Sequence, residues 1–240
     1  MRHPAAWESR RDAGAPRQQP AALQICYIEQ AMPSLSTIAP VILAAGDSTR
    51  MGYPKALLPL GDEIFLTHIL RILHEAGLPK PAIVLGRTAA LIQPRIWEWP
   101  ADILINPDPD RGQLSSIQIG FSFLDPRVEA GMIWPVDQPA VSKDLIVRLT
   151  QLFIESASLV AFPSCSGRRG HPAIFHRTVF REFMEAPLME GPRKVLFRHE
   201  RESAVLPTEE SACVEDIDTP EDYLALTGET VEFALARMRF

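Results

Sequence analysis

Short apolar runs alternate along this chain with longer segments of helical spacing, and that alternation restricts the fold more than any other feature. Strand-like runs fall at residues 41–44, 82–85, 103–105, 132–136, 159–162 and 173–175. Between them Phe65, Ile69, Ile72 and Leu73 recur at the spacing of one helix face ahead of Gly77, a C-terminal stop, and residues 115–124 and 144–154 repeat the amphipathic pattern. Strands alternating with helices predict an α/β fold, a three-layer α/β/α sandwich on a mainly parallel, Rossmann-like sheet covered on both faces. Ligands of such sheets bind beyond the carboxyl ends of the strands, so chemistry is to be sought there.

The first strand leads directly into residues 43–55, LAAGDSTRMGYPK. Gly46 and Gly52 bracket the turn, and glycine lets backbone N–H groups face a bound anion because it tolerates positive φ and carries no Cβ. Arg50 and Lys55 then supply positive charge, the first as a planar fork and the second as a point charge. A polyphosphate-binding loop follows from these residue types. The Walker pattern is not met, because Tyr53 and Pro54 separate Gly52 from Lys55 and Ala56 follows the lysine; G-x-G-x-x-G is also absent.

Composition bounds the alternatives. The 240 residues are 46% hydrophobic and 22% charged, as in ordinary globular proteins, and suit one α/β domain or two small ones. A net charge of −6 gives no support to a nucleic-acid partner, and no apolar run reaches the length of a membrane span. The arginines near the start are not followed by an apolar secretory segment, and Cys26, Cys165 and Cys213 show no C-x-x-C spacing, so a cytoplasmic protein with free thiols is expected. Residues 1–37 lack sustained periodicity and are expected to be a poorly ordered extension, with Met32 as an alternative start. Residues 38–228 form the folded domain, and 229–240 a short tail.

Several later segments carry candidate chemistry. Asp137 follows the run ending at Val136, and Pro135 marks the end of the strand, which puts Asp137 at the sheet's carboxyl edge. Asp216 and Asp218 are expected at a second strand end. Mg²⁺ (or Mn²⁺) prefers oxygen ligands and takes few protein carboxylates, so Asp137 and Asp218 are its candidate ligands. Asp218 also precedes Thr219 and Pro220 and reads equally as a helix cap. Gly112 to Ser116 precedes a helix that Ser115 or Ser116 would cap, with its N-terminus facing a base or phosphate. Arg168, Arg169, Gly170 and His171 form a basic loop entering a strand, and Arg193 and Lys194 add charge further on. His68 and His74 read as structural, and Trp97 and Trp99 as packing under a loop.

Taken together these motifs resemble the MobA-like NTP transferases. The loop at 43–55 satisfies every fixed position of that family's signature LAxGxSxRMGxxK, and Asp137-Gln138-Pro139 matches its D-x-P motif. The resemblance spans residues 38 to 227. Ala45, where guanylyltransferases of the family usually have Gly, the segment 166–172 and the late D-I-D-T-P-E-D segment at 216–222 point to the molybdenum cofactor cytidylyltransferase branch. The resemblance implies a nucleotide-diphospho-sugar-transferase (GT-A-like) fold. It further implies CMP transfer from CTP to molybdopterin-type cofactor, with release of pyrophosphate. In that reading Arg50, Lys55 and Asp137 are catalytic; Leu43, Ala44, Ala45, Gly46, Arg50, Lys55, Gly112 and Ser115 bind nucleotide; Arg169, Gly170 and His171 bind the acceptor. A molybdenum hydroxylase is the implied downstream partner. A transferase acting on a sugar phosphate or other small phosphate, and a non-catalytic cofactor chaperone, are the competing readings. Residues 1–37 and the neighbourhood of Pro192 depart from the family pattern.

Overall fold

A computed structural model of the chain describes residues 33–238. Its strands are β1 (Ile38–Ala44), β2 (Pro59–Leu60), β3 (Glu63–Ile64), β4 (Ala82–Leu85), β5 (Asp102–Ile105), β6 (Ala130–Pro135), β7 (Val160–Cys165), β8 (Arg168–Arg169), β9 (Ala173–His176) and β10 (Ser203–Pro207). Its α-helices are α1 (Phe65–Glu75), α2 (Ala89–Ile92), α3 (Gln113–Phe123), α4 (Lys143–Ser156), α5 (Arg177–Glu185), α6 (Arg193–Arg198), α7 (Pro220–Thr227) and α8 (Val231–Arg237). The main sheet runs β10-β7-β9-β6-β1-β4-β5, with β8 paired to β7, while β2 and β3 form a separate hairpin. Pairs β10–β7, β6–β1, β1–β4 and β4–β5 are parallel, and β9 is antiparallel to both its neighbours. The sheet is therefore mixed but mostly parallel, and the expected α/β class holds.

β1 explains the layering. All seven of its residues are buried, as a central parallel strand requires. Alternate side chains point to opposite faces. Ile42 and Ala44 join the core made with α1 and α4, where Phe65, Ile69, Leu145 and Phe153 pack. Val41 and Leu43 join the other core, with Leu114, Ile117 and Phe121 of α3 and Val179, Phe180 and Phe183 of α5. Gly120 of α3 lies so close to β1 that a Cβ there would sit 2.4 Å from a Val41 methyl, so its bareness sets the helix–sheet distance.

Three expectations need correction. Residues 33–37 are not an unordered extension: Leu35–Thr37 form a 3₁₀ turn, and the Thr37 hydroxyl donates to Glu129 at 2.6 Å. Residues 1–32, with Met32 and Cys26, lie outside the described residues. Trp97 is 77% exposed and underpins no loop, whereas Trp99 packs on the core. No strand spans Asp216 and Asp218; that segment is a loop running into α7. The tail at 229–240 contains α8, capped by Thr230 and buried through Val231 and Ala234. His68 is held by Glu63 at 2.9 Å, and Cys165 and Cys213 are buried free thiols, with burial pushing the Cys213 thiol up to about 11. Among the described residues, no helix is long and apolar enough to cross a membrane.

Candidate active site

The carboxyl ends of β1 and β6 are tied together by the Val136 N–H donating to the Leu43 carbonyl at 3.0 Å, and the loop of residues 45–55 rises from that edge. Gly52 adopts a φ of 74°, which its position in the turn demands, and its N–H donates to the Ser48 carbonyl at 3.0 Å. Met51 is buried and anchors the loop from below. Lys55 opens a buried 3₁₀ turn (Lys55–Leu57), and its N–H donates to the Ser48 hydroxyl oxygen at 3.2 Å.

That anchoring puts the Lys55 side chain inside the protein. It is 9% exposed, although its place in a glycine-bracketed loop would suggest a lysine open to solvent. Its Nζ lies 3.1 Å from Asp137 Oδ2 and 2.5 Å from Asp218 Oδ1, so one ammonium answers two carboxylates. Arg50, 67% exposed along its side chain, reaches Asp218 Oδ2 at 2.8 Å. Burial alone would raise the Asp218 carboxyl, but Lys55 and Arg50 outweigh it and hold the group below the usual carboxylate range. Asp218 arrives through the loop before α7, whose Ile217 N–H donates to the Asp137 carbonyl at 2.8 Å. It is not the helix cap. Thr219 caps α7, accepting from the Asp222 N–H, while the Asp222 carboxylate accepts from the N–H groups of Asp218 and Thr219.

A cavity of about 300 Å³ opens above these groups, lined by Leu43, Ala45, Gly46, Arg50, Lys55, Gly112, Ser116, Asp137 and Asp218 among others. Ala44 and Ser115 do not line it. Ala44 points into the core with α1. Ser115 and Ser116 do not cap α3 either, because Gly112 occupies the N-cap position. Both serines lie inside the first turn, accepting from the Asn106 side-chain amide at 2.8 and 3.0 Å, and Ser115 donates to the Gly112 carbonyl. Asn106, at the end of β5, therefore organises this wall, although nothing but its place after a strand and before Pro107 marks it in sequence. Gly86, after β4, was equally unremarkable; a Cβ there would lie 2.2 Å from the Ala45 carbonyl oxygen. Arg87 beside it bridges Asp47 of the loop and Asp110, the latter at 2.6 Å.

A second cavity of about 770 Å³ shares Gln113, Pro135 and Asp137 with the first. Arg168, Arg169, Gly170 and His171 line it together with Phe162, Arg193 and Phe197, so the basic loop and Arg193 do converge. Arg169 stacks over the Phe162 ring at 5.1 Å and donates to Glu200 at 2.5 Å. His171 is deeply buried; burial pushes its imidazole down, against the pull of Asp137 and Asp216. Gln138, between the two motif residues Asp137 and Pro139, donates to Asp216 at 2.7 Å, and its backbone carbonyl accepts from the Trp134 indole at 2.9 Å. Gly170 tolerates no Cβ, which would come within 2.4 Å of the Cys213 carbonyl oxygen.

The two cavities meet at the Asp137 carboxylate, at the strand ends of a doubly covered sheet. Comparison with known proteins gives the family. The model of the MobA-like NTP transferase domain matches residues 40–203, and the chain belongs to that family. A probable molybdenum cofactor guanylyltransferase of Mycobacterium marinum is 30% identical over 165 residues, covering 66% of this chain and 77% of that protein. The bifunctional protein GlmU of Mycolicibacterium paratuberculosis is 33% identical over 128 residues; the match covers 49% of this chain and only 26% of that longer protein. Among solved structures, Rv0371c of Mycobacterium tuberculosis H37Rv superposes with a TM-score of 0.73 at 27% identity, covering 82% of this chain and all of that one. The same protein has also been solved as a complex with manganese, which superposes with a TM-score of 0.70 at 26% identity and again covers 82% of this chain and all of that one.

Proposed function

We propose that the protein transfers a nucleoside monophosphate, from CTP in preference to other NTPs, to a phosphate-bearing acceptor of the molybdopterin type. The single observation that carries the reading is Asp137 on the shared wall of the two cavities. The smaller, with the glycine loop, Arg50 and Lys55, suits a nucleoside triphosphate. The larger combines Arg168, Arg169 and Arg193 with Phe162, Phe175 and Phe183, a donor set for a flat ring system that ends in a phosphate.

The acceptor phosphate is already largely ionised at neutral pH, its second pKa being near ~6, and no general base is needed to make it a nucleophile. An acceptor oxygen attacks the α-phosphorus, a new P–O bond forms, and the bond to the β-phosphate oxygen breaks with pyrophosphate carrying away the electron pair. Arg50 and Lys55 balance charge on the β- and γ-phosphates and on the leaving pyrophosphate. The loop and the N-terminus of α3 orient the triphosphate, and the second cavity holds the acceptor in line.

Asp137 and Asp218 fit a divalent cation, because both present carboxylate oxygens to one small space now held by the Lys55 ammonium. Among the described residues no group of three or more His, Cys, Asp or Glu could hold a metal alone, so an ion such as Mg²⁺ or Mn²⁺ would have to take its remaining ligands from phosphate and water. When bound it would polarise the α-phosphate.

Preference for CTP rests on Ala45, which borders the nucleotide cavity and stands where guanylyltransferases of the family usually have Gly. A GTP-using reading is favoured by the names of the mycobacterial relatives. Pyrophosphate release measured with CTP, GTP, UTP and ATP, with and without molybdopterin cofactor, tests both. Turnover that needs the cofactor and favours CTP is expected; turnover favouring GTP removes the cytidylyl assignment, and release with a sugar phosphate alone removes the acceptor.

A further inference from the structure

Helix α6 carries Arg193, Leu196 and Phe197 into the larger cavity and ends at His199, which is only 9% exposed. Both ring nitrogens face carboxylates: Nε2 lies 2.6 Å from Glu182 of α5, and Nδ1 lies 2.7 Å from Glu202 in the 3₁₀ turn that follows. A neutral imidazole has one N–H and one lone pair, so it can donate to only one of two carboxylates. Two such contacts call for the imidazolium. The second carboxylate oxygen of Glu182 is taken by Arg198 of α6 at 3.2 Å. Burial works against the charge, but Glu202 and Glu182 outweigh it and raise the ring above its ordinary value. The same turn presents Glu200 to Arg169, and the Ser203 hydroxyl donates to the His199 carbonyl at 2.7 Å.

We propose that His199 is a positioning residue for the larger cavity: its doubly protonated ring staples α6 and the 200–202 turn to α5, and so sets where Arg193, Phe197 and the Glu200–Arg169 pair stand. The staple acts through other residues, and His199 itself touches no ligand. Its role in catalysis rests on the reading of that cavity as the acceptor site. Because the folded-state affinity of the ring for its proton is raised, the staple is fully present below the ordinary histidine range and is lost as pH rises through the raised value. Deprotonation leaves one carboxylate facing a lone pair, and the turn relaxes.

The test uses the full chain and two readouts. Hydrogen exchange of residues 188–202, corrected for intrinsic exchange, is followed from pH 6 to 9 in the wild type, His199→Gln and Glu202→Gln; KM values for molybdopterin and for NTP are followed over the same range. Wild-type protection of the segment should fall several-fold with rising pH, His199→Gln should lack that protection at every pH, and Glu202→Gln should lose it at lower pH than the wild type. The acceptor KM should rise in step while the NTP KM stays flat. Protection independent of pH in the wild type, or a Glu202→Gln profile that matches it, overturns the staple. A moving exchange profile with a flat acceptor KM overturns its positioning role. Absence of turnover with molybdopterin at every pH, alongside the expected exchange profile, refutes the acceptor reading and leaves the staple standing.

Discussion

Replacing Lys55 by Met tests the centre of the site in two independent ways. The substitution keeps most of the side chain's length and apolar contact but removes the ammonium that serves both Asp137 and Asp218, whose side chains are 29% and 26% exposed. Removing one partner of a fully buried pair costs about 3–5 kcal/mol, because an uncompensated charge remains. Here the carboxylates keep partial contact with water and Asp218 retains Arg50, so a cost of about 1–2 kcal/mol is the reasonable share. For a domain of this size that corresponds to a melting temperature lower by about 3–6 °C. A solvent-exposed loop lysine would give a smaller effect, within about ±0.5 kcal/mol. The pH dependence has a definite sign. Asp218 is held below its ordinary pKa, so its contribution is present above that ordinary value and lost as pH falls through the lowered one. The difference in melting temperature between wild type and variant should therefore be full at pH 7 and shrink in acid, below about pH 4. Turnover should fall on the order of 10²–10³-fold, the usual effect of losing a preorganised charge partner. Paired thermal melts from pH 3 to 8 and pyrophosphate-release kinetics measure both effects. A variant that melts with the wild type at pH 7 and turns over normally would refute the assignment of Lys55 to the floor of the nucleotide cavity.

Gly86→Ala places a methyl 2.2 Å from the Ala45 carbonyl oxygen, so backbone must move; a stability loss of about 1–3 kcal/mol and a raised NTP KM are expected in melts and kinetics. Asp137→Ala should abolish turnover, with the barrier raised by several kcal/mol, while circular dichroism shows the fold retained. Arg50→Ala, at a side chain 67% exposed, should leave stability within about ±0.5 kcal/mol yet weaken NTP use, which separates it from Lys55 in the same two assays. Ala45→Gly should relax base choice, read as a smaller CTP-to-GTP ratio of kcat/KM in competition.

The fold was legible where burial on both faces wrote long apolar runs. The strand at residues 82–85 is read to the residue, and the helix following residue 64 by its spaced Phe65, Ile69, Ile72 and Leu73. β10 was missed because its residues are only partly buried and include the exposed Val205, an edge strand that needs no continuous apolar run. β8 and the β2–β3 hairpin are two residues per strand, too short for any period to register. That β9 runs against its neighbours is likewise a matter of connection lengths, not of composition.

The site divides along the same line. Arg50, Lys55 and Asp137 stand in motifs at strand ends, so residue type and position along the chain suffice to nominate them. What sequence could not give is how they are joined. Lys55 and Asp218 are separated by 163 positions, and the bond between them depends on the loop before α7 docking on Asp137 through Ile217. Asp218 consequently looked like a cap because the local string, Asp218-Thr219-Pro220, has cap chemistry; the next residue took that role and freed the carboxylate to face the lysine. The supporting residues were hidden for a different reason. Gly86 and Gly170 matter through the space they leave empty, and Asn106 through two hydroxyls on another element. Such roles leave no period and no motif. Residues that contact a ligand repeat the ligand's chemistry and can be nominated from type alone. Residues that hold those contacts in place answer to the particular packing of this chain, and only the folded geometry identifies them.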